Sequence, residues 1–338
     1  METNIVLLII GLGLSFFMAF NLGANDAATP CDTSVGAGVI SVKRATILFS
    51  FFAAIGAIAQ GHMNIRTISG GIVPRIDPFG AITIILAACT WSFFCTWKGL
   101  EISNTYTVVG SVIGYAIVVY GSFDSRVVVN ILASWVISPL ISIALSYTIY
   151  KFMVRLFHKF LNDERFIKSA SFSIIIALCF SAYSFGANDV GNATGVYVAV
   201  TQEVVGLPDF TTMLILAIFG ALGIAVGGLT WGHRVIETVA FKIVRIDVLS
   251  GLAAEIANAL VVYLFVTVPY IYLGFGLPVS SSIVGVGALI GAGLARGRGM
   301  VDKITIGRLA ITWVITIPAT ASMSAVLYII LSRLIGFN

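Results

Sequence analysis

The chain has 338 residues, of which 59% are hydrophobic and only 10% charged, and its mean hydropathy is +1.04. A soluble globular domain carries about 25% charged residues, so this composition excludes a water-soluble enzyme or binding module and requires a polytopic membrane protein. The formal charge of +4 follows membrane side, as set out next, and gives no argument for nucleic-acid binding.

Apolar segments long enough to cross a bilayer, roughly 17 to 25 residues each, are read at 5–22, 45–62, 79–97, 102–120, 128–150, 170–187, 211–231, 248–268, 271–295 and 309–334. They predict an all-α fold of ten passes, five per half. No Lys or Arg precedes the first, so it lacks the basic start of a cleaved signal peptide and is read as a retained span. With the N-terminus outside, the inner segments collect Lys43, Arg44, Lys98, Lys151, Arg155, Lys159, Arg165, Lys168, Arg234, Lys242, Arg245, Arg296, Arg298, Lys303 and Arg308. The outer ones keep Arg66, Arg75, Arg126 and Arg333, a split of 15 to 4. The positive-inside rule then places both termini outside, with the cell (plasma) membrane as the expected location.

The halves repeat. Gly23-Ala24-Asn25-Asp26-Ala27 returns 163 positions later as Gly186-Ala187-Asn188-Asp189-Val190. The frame Gly99-Leu100-Glu101-Ile102-Ser103 through Gly114 lies without gaps over Gly276-Leu277-Pro278-Val279-Ser280 through Gly291, and Trp135-Val136-Ile137 lies over Trp313-Val314-Ile315. An odd number of passes per half makes the second copy enter from the opposite side, an inverted-topology repeat of the kind found in secondary transporters. The expected organisation is a first transmembrane repeat over 1–150, a basic cytoplasmic connector over 151–168, and a second, inverted repeat over 169–338.

Two places interrupt the helical pattern in each half. Gly23 to Gly38 gathers Asn25, Asp26, Thr29, Pro30, Asp32, Thr33 and Ser34 among glycines, which predicts an unwound crossover. The clusters Ser103-Asn104-Thr105 and Ser280-Ser281-Ser282 precede small-residue segments, the N-cap chemistry that opens a half-helix. Irregular backbone at membrane depth survives only where protein or water covers it, so broken or re-entrant helices at a midplane site are expected.

An ionised carboxylate in hydrocarbon costs several kcal/mol, so a recurring one marks an ion or substrate pathway. Asp26 and Asp189 are therefore candidate ligands for sodium or a proton, with Asn25, Asn188 and exposed carbonyls completing an oxygen shell. Half-helix N-termini present free N–H groups and the positive end of a dipole, so Ser103, Asn104, Thr105, Ser280, Ser281 and Ser282 are candidates for holding an oxyanion. Each cluster taken singly is equally readable as ordinary helix packing; it is the recurrence that favours function. Glu255 is divided evenly between a pathway acid and a helix-packing partner. Glycines 285, 287, 291 and 293 read as close-packing surfaces. The four cysteines lack C-x-x-C spacing and His62, His158 and His233 form no cluster, so neither disulfides nor a zinc site is expected, and no cofactor is called for.

Gly-Ala-Asn-Asp in both halves, Thr33-Ser34-Val35-Gly36-Ala37-Gly38, Ala253-Ala254-Glu255, and Gly276-Leu277-Pro278-Val279-Ser280 ahead of Gly291-Ala292-Gly293-Leu294-Ala295-Arg296-Gly297 resemble the inorganic phosphate transporter family over almost the full length. The resemblance implies a symporter of inorganic phosphate driven by sodium or protons, with the Asn-Asp motifs, extended to Asn192, at the ion sites and the serine clusters, with Thr33 and Asp32, at the phosphate. The chain departs from the family pattern at four positions: Tyr106 and Ile283 stand where a histidine is usual, Thr29 replaces a second Asn, and Asp32 replaces a small residue. The expected function is secondary active transport, with no enzymatic activity. Its partners are the lipid bilayer, phosphate and the coupling cation, and self-association into a homo-oligomer is compatible with it. Sulfate permeation on the same scaffold is the nearest alternative; phosphate carries a proton that needs an acceptor, a role open to Asp32, whereas sulfate is acceptor-only. A passive anion channel leaves the duplicated carboxylates unexplained. An intramembrane aspartyl protease would need a shared-proton pair of acids, which Asn beside each Asp does not suit.

Overall fold

A computed structural model describes residues 2–65, 72–161, 163–205, 210–242, 246–274, 276–297 and 301–335; Arg66, Arg245 and Arg298, counted above for charge asymmetry, lie outside them. Among the described residues there is no β-strand, and the helices are α1 (Glu2–Asp26), α2 (Ala28–Gly36), α3 (Val42–Gln60), α4 (Pro78–Trp97), α5 (Asn104–Tyr120) and α6 (Ser125–Leu156) in the first half. The second half holds α7 (Glu164–Val205), α8 (Phe210–Trp231), α9 (His233–Lys242), α10 (Val248–Leu273), α11 (Ser281–Arg296) and α12 (Lys303–Ile335). The basic stretch 151–168 is shared between the end of α6, a 3₁₀ turn at His158–Phe160 and the start of α7.

Among the described residues eight helices are long and apolar enough to cross a bilayer, not ten. The segments read as passes at 102–120 and 271–295 contain helices of only 17 and 16 residues, and each folds back antiparallel on the helix before it. At the base of the first hairpin the Asp124 amide donates to the Ile72 carbonyl at 3.0 Å and the Tyr120 hydroxyl to the Arg75 carbonyl at 2.7 Å, joining the end of α5 to the entry of α4. At the base of the second, Arg296 at the end of α11 pairs with Asp247 at the start of α10 at 3.0 Å. Composition alone cannot separate a pass from an arm of a hairpin, because both are apolar.

The expected unwound crossover at 23–38 is instead nearly helical. Ala27 keeps right-handed angles (φ −56°, ψ −22°) between α1 and α2. Pro30 lacks an N–H, so it removes the helical bond to the Asp26 carbonyl, enough to mark a break without unwinding it. In the second half Ala193 takes the equivalent place, and α7 runs unbroken past Asp189.

The halves interlock. α1 packs on α8, α3 on α7, α5 on α12 and α11 on α6. Glycine makes the crossings close: a Cβ at Gly23 would collide with the Ile224 carbonyl of α8, and one at Gly186 with the Ala53 carbonyl of α3. Gly110 and Gly114 meet the backbone of α12 at Ile317 and Ala321, and their counterparts Gly287 and Gly291 meet α6 at Pro139 and Ile143. Close backbone approach of this kind is how helices associate where lipid offers no hydrophobic drive. Large apolar side chains such as Val136, Leu140, Ile311 and Val314 face outward, as a lipid-bathed surface requires.

Candidate functional site

The tips of the two hairpins meet the two Asn-Asp motifs in the interior. Asn25, Asp26, Asn188, Asp189, Asn192 and the six residues of the serine clusters are all buried. Ser103 caps α5 by accepting from the Tyr106 amide, and Ser280 caps α11 by accepting from the Ile283 amide, both at 3.3 Å. The N-cap reading of the two clusters is thus borne out in matching geometry. Tyr106, at the first position where a histidine was absent, stacks on Trp135 with ring centroids 3.8 Å apart; Ile283, at the second, is buried.

The two asparagines clamp the hairpin tips. Asn25 Nδ2 donates to Thr96 Oγ1 (3.0 Å) and to the Leu100 carbonyl (2.9 Å), and its Oδ1 accepts from the Ile102 amide (3.1 Å). Asn188 repeats the device at the other tip: Nδ2 donates to the Val279 carbonyl (2.9 Å) and Oδ1 accepts from the Val279 amide (3.3 Å) and from Asn64 Nδ2 (2.9 Å). Both amide groups thus hold the tip backbone, and Asn188 also reaches Asp189.

The aspartates receive the donors of the α5 and α11 N-termini. Asp26 Oδ2 accepts from Asn104 Nδ2 at 3.0 Å and Oδ1 from Ser282 Oγ at 3.2 Å, so it joins both hairpins. Asp189 accepts from Asn188 Nδ2 (2.9 Å) and Asn192 Nδ2 (2.8 Å) and is also bonded by Ser281. Asn192 Nδ2 lies 3.1 Å from Thr105 Oγ1. Asn104 and Ser281 are counterparts in the repeat, as are Thr105 and Ser282, so the two carboxylates sit in related frames. The oxygens of Asp26, Asp189, Thr105 and Ser282, with the unpartnered buried Oδ1 of Asn192, make an all-oxygen set of the kind a hard cation accepts. No Lys or Arg is among these partners.

Thr33, Asp32 and Glu255 lie on a second cluster. The Thr33 hydroxyl donates to Glu255 Oε2, Ser181 and Asn258 also bond that carboxyl, and Asp32 Oδ1 is buried with no partner. Glu101, in sequence one letter of a repeated frame, is buried on the link between α4 and α5, and Thr29 Oγ1 donates to its Oε1 at 3.4 Å. The departure from Pro278 at that frame position was the available signal. Asn64 and Ser92, which hold Asn188 and the Asn104 side chain (2.6 Å to Oδ1), were missed because single polar residues in apolar windows carry no pattern.

With two clamped hairpins facing two Asn-Asp motifs, comparison with known proteins is decisive. A model of the phosphate transporter family matches residues 22–172 and 158–324. The chain belongs to the phosphate transporter family. A Haemophilus influenzae protein described as a phosphate permease is 29% identical over 94% of both chains. A Thermococcus kodakarensis protein described in the same words is 30% identical over 96% of this chain and 97% of its own. Inorganic phosphate transporter 2-1 of the Arabidopsis thaliana chloroplast is 25% identical over 95% of this chain and 72% of its own. Among solved structures, one described as the sodium-dependent phosphate transporter superposes with a TM-score of 0.86 at 27% identity, over 97% of this chain and 99% of that one. The transporter is an integral membrane protein and not an enzyme.

Proposed function

We propose that the transporter is a symporter that carries inorganic phosphate with sodium, by alternating access about the site between the hairpin tips. The observation that carries this reading is the pairing of Asp26 and Asp189 with Asn104, Ser281 and Ser282 at the starts of α5 and α11. Hydroxyl and amide donors that face a carboxylate are held away from an oxyanion. A cation bound at Asp26 or Asp189 competes for the carboxylate lone pairs and releases those donors to phosphate, which then meets the two helix N-termini as well. Cation and anion each raise the other's affinity, as thermodynamic coupling between the two sites requires.

Enclosure supports the alternating part of the reading. The site residues are buried, so a ligand reaches them only when a tip moves, which an open anion channel would not need. We assign residues 1–150 and 169–338 to inverted repeats joined by 151–168, each contributing one hairpin, and place both termini outside the plasma membrane. The test is uptake of labelled phosphate into liposomes holding the purified protein, under an inward sodium gradient. Concentrative uptake supports the proposal. Uptake indifferent to sodium removes the sodium assignment, and labelled sulfate taken up in preference to phosphate removes the substrate.

A further inference from the structure

The two halves agree at Asp26 and Asp189, but the nearby acids Asp32 and Glu101 have no counterpart. In the frames of the repeats Asp32 faces Gly195 and Glu101 faces Pro278. These unmatched acids come together with Glu255. Thr29, Asp32 and Thr33 share one face of α2, being three and four residues apart. Thr29 donates to Glu101 at one end of that face and Thr33 to Glu255 at the other. Asp32 lies between, with each of the three acids no more than 1% exposed.

Each carboxyl keeps one buried oxygen without a partner: Glu101 Oε2, Asp32 Oδ1 and Glu255 Oε1. Asn258, 3% exposed and bonded to Glu255, also leaves its Oδ1 unpartnered. No Lys or Arg is among the partners of this group. The titratable and charged groups facing it are Asp26 from α1, Cys31 from α2 and Cys179 from α7, with Lys98 of the link and Arg308 of α12 at the cavity beyond Glu101. Three like charges in a dry interior without a cation cannot all persist. Among the described residues no three His, Cys, Asp or Glu side chains are grouped closely enough to share one metal ion, whereas a proton on a carboxyl removes its charge without needing a shared set of ligands.

A cavity adjoins the group at Glu101. It has a volume of about 200 Å³, is lined by Lys98, Glu101, Thr238, Thr305, Arg308 and Thr312, with apolar neighbours, and lies against the hairpin tip, so Glu101 forms the boundary between this cavity and the buried acids.

We propose that Glu101, Asp32 and Glu255 form a proton-binding coupling site, separate from the Asp26 and Asp189 site and loaded through this cavity. A proton leaves cavity water for a carboxylate oxygen, forming one O–H bond and breaking another, and is shared along the α2 face. It is returned to water when the transporter has changed sides. This rests on the phosphate symport reading and adds a second coupling ion to it.

The experiment measures phosphate accumulation in liposomes under a fixed sodium gradient, with and without an imposed pH gradient, for wild type, Glu101→Gln and Glu101→Asp. For each proton carried, one pH unit raises the attainable accumulation about tenfold. The proposal expects wild type and Glu101→Asp to respond to the pH gradient, and Glu101→Gln to keep sodium-driven uptake with that response lost. Changes in phosphate's own protonation affect all three alike. An equal pH response in wild type and Glu101→Gln overturns the proposal, whereas absence of sodium-driven uptake in wild type overturns the underlying symport reading. Should Glu101→Gln lose all uptake, Glu101→Asp decides: uptake with its pH response intact supports the site, and loss of either overturns it.

Discussion

Asn25→Ala tests whether the first hairpin tip is held by the clamp described above. The substitution removes a donor to the Leu100 carbonyl and an acceptor from the Ile102 amide. Thr96 loses only a bond it accepted, since its hydroxyl still donates to the Ser92 carbonyl at 2.8 Å. The Ile102 amide is buried and is thus orphaned, at about 1–3 kcal/mol, whereas the Leu100 carbonyl belongs to a part-exposed residue and loses less, so the expected loss is about 1–3 kcal/mol. At about 2 °C per kcal/mol, the low end for larger domains, the unfolding midpoint falls by about 2–6 °C. The chain supplies its own reporter: Cys31, Cys89 and Cys95 are free and buried, so a thiol-reactive fluorophore reads their exposure on heating in detergent. A midpoint within 1 °C of wild type, a limit set at about half a kcal/mol on the same scale, would refute the reasoning. It would mean that those two groups find other partners when the amide is gone.

Asp26→Asn and Asp189→Asn should each abolish sodium-driven phosphate uptake while the thermal midpoint stays near wild type; concentrative uptake by the double variant would remove both from the ion site. Ser282→Ala and Asn104→Ala each delete one donor to a charged ligand, worth about 1.5–3 kcal/mol, so phosphate affinity should weaken tenfold or more; unchanged half-saturation in uptake would return both residues to a packing role. Gly186→Ala drives a methyl group into the Ala53 carbonyl of α3, and overpacking of this kind costs about 1–3 kcal/mol; a normal midpoint in the thiol assay would show that α3 and α7 can separate without penalty. Asp32→Asn should change the ratio of phosphate to sulfate inhibition of labelled uptake if Asp32 accepts the phosphate proton, and an unchanged ratio would assign it to the acid cluster alone.

Much of this architecture was legible because it is written twice. Gly-Ala-Asn-Asp and the frame from Gly99 to Gly114 identified the motifs that the structure brings together, and the N-caps at Ser103 and Ser280 followed from residue type. What failed was whatever depended on depth or on a single copy. The arms α5 and α11 are as apolar as full passes, so their ends inside the protein left no trace in composition. An amide oxygen suits an ion ligand and a backbone clamp alike, so the bonds of Asn25 and Asn188 to Leu100, Ile102 and Val279 could be read only from the positions of those residues. Glu101 escaped notice because attention to what the halves share passes over what one half adds.

The interlocking of the halves sets an order for biogenesis. α5 leaves the ribosome roughly 180 residues before α12, whose backbone receives Gly110 and Gly114. At about 5–20 residues per second, that is a wait of about 9–36 s. For that interval the first hairpin has its glycine face uncovered in the bilayer, and any neighbour that can shield this face acts as a temporary stand-in for α12. α11 has no such wait, because α6 is already in place when it emerges. A chain truncated before α12 should therefore retain a seated second hairpin and an unseated first one, two homologous elements whose fates differ solely because of when their partners are made.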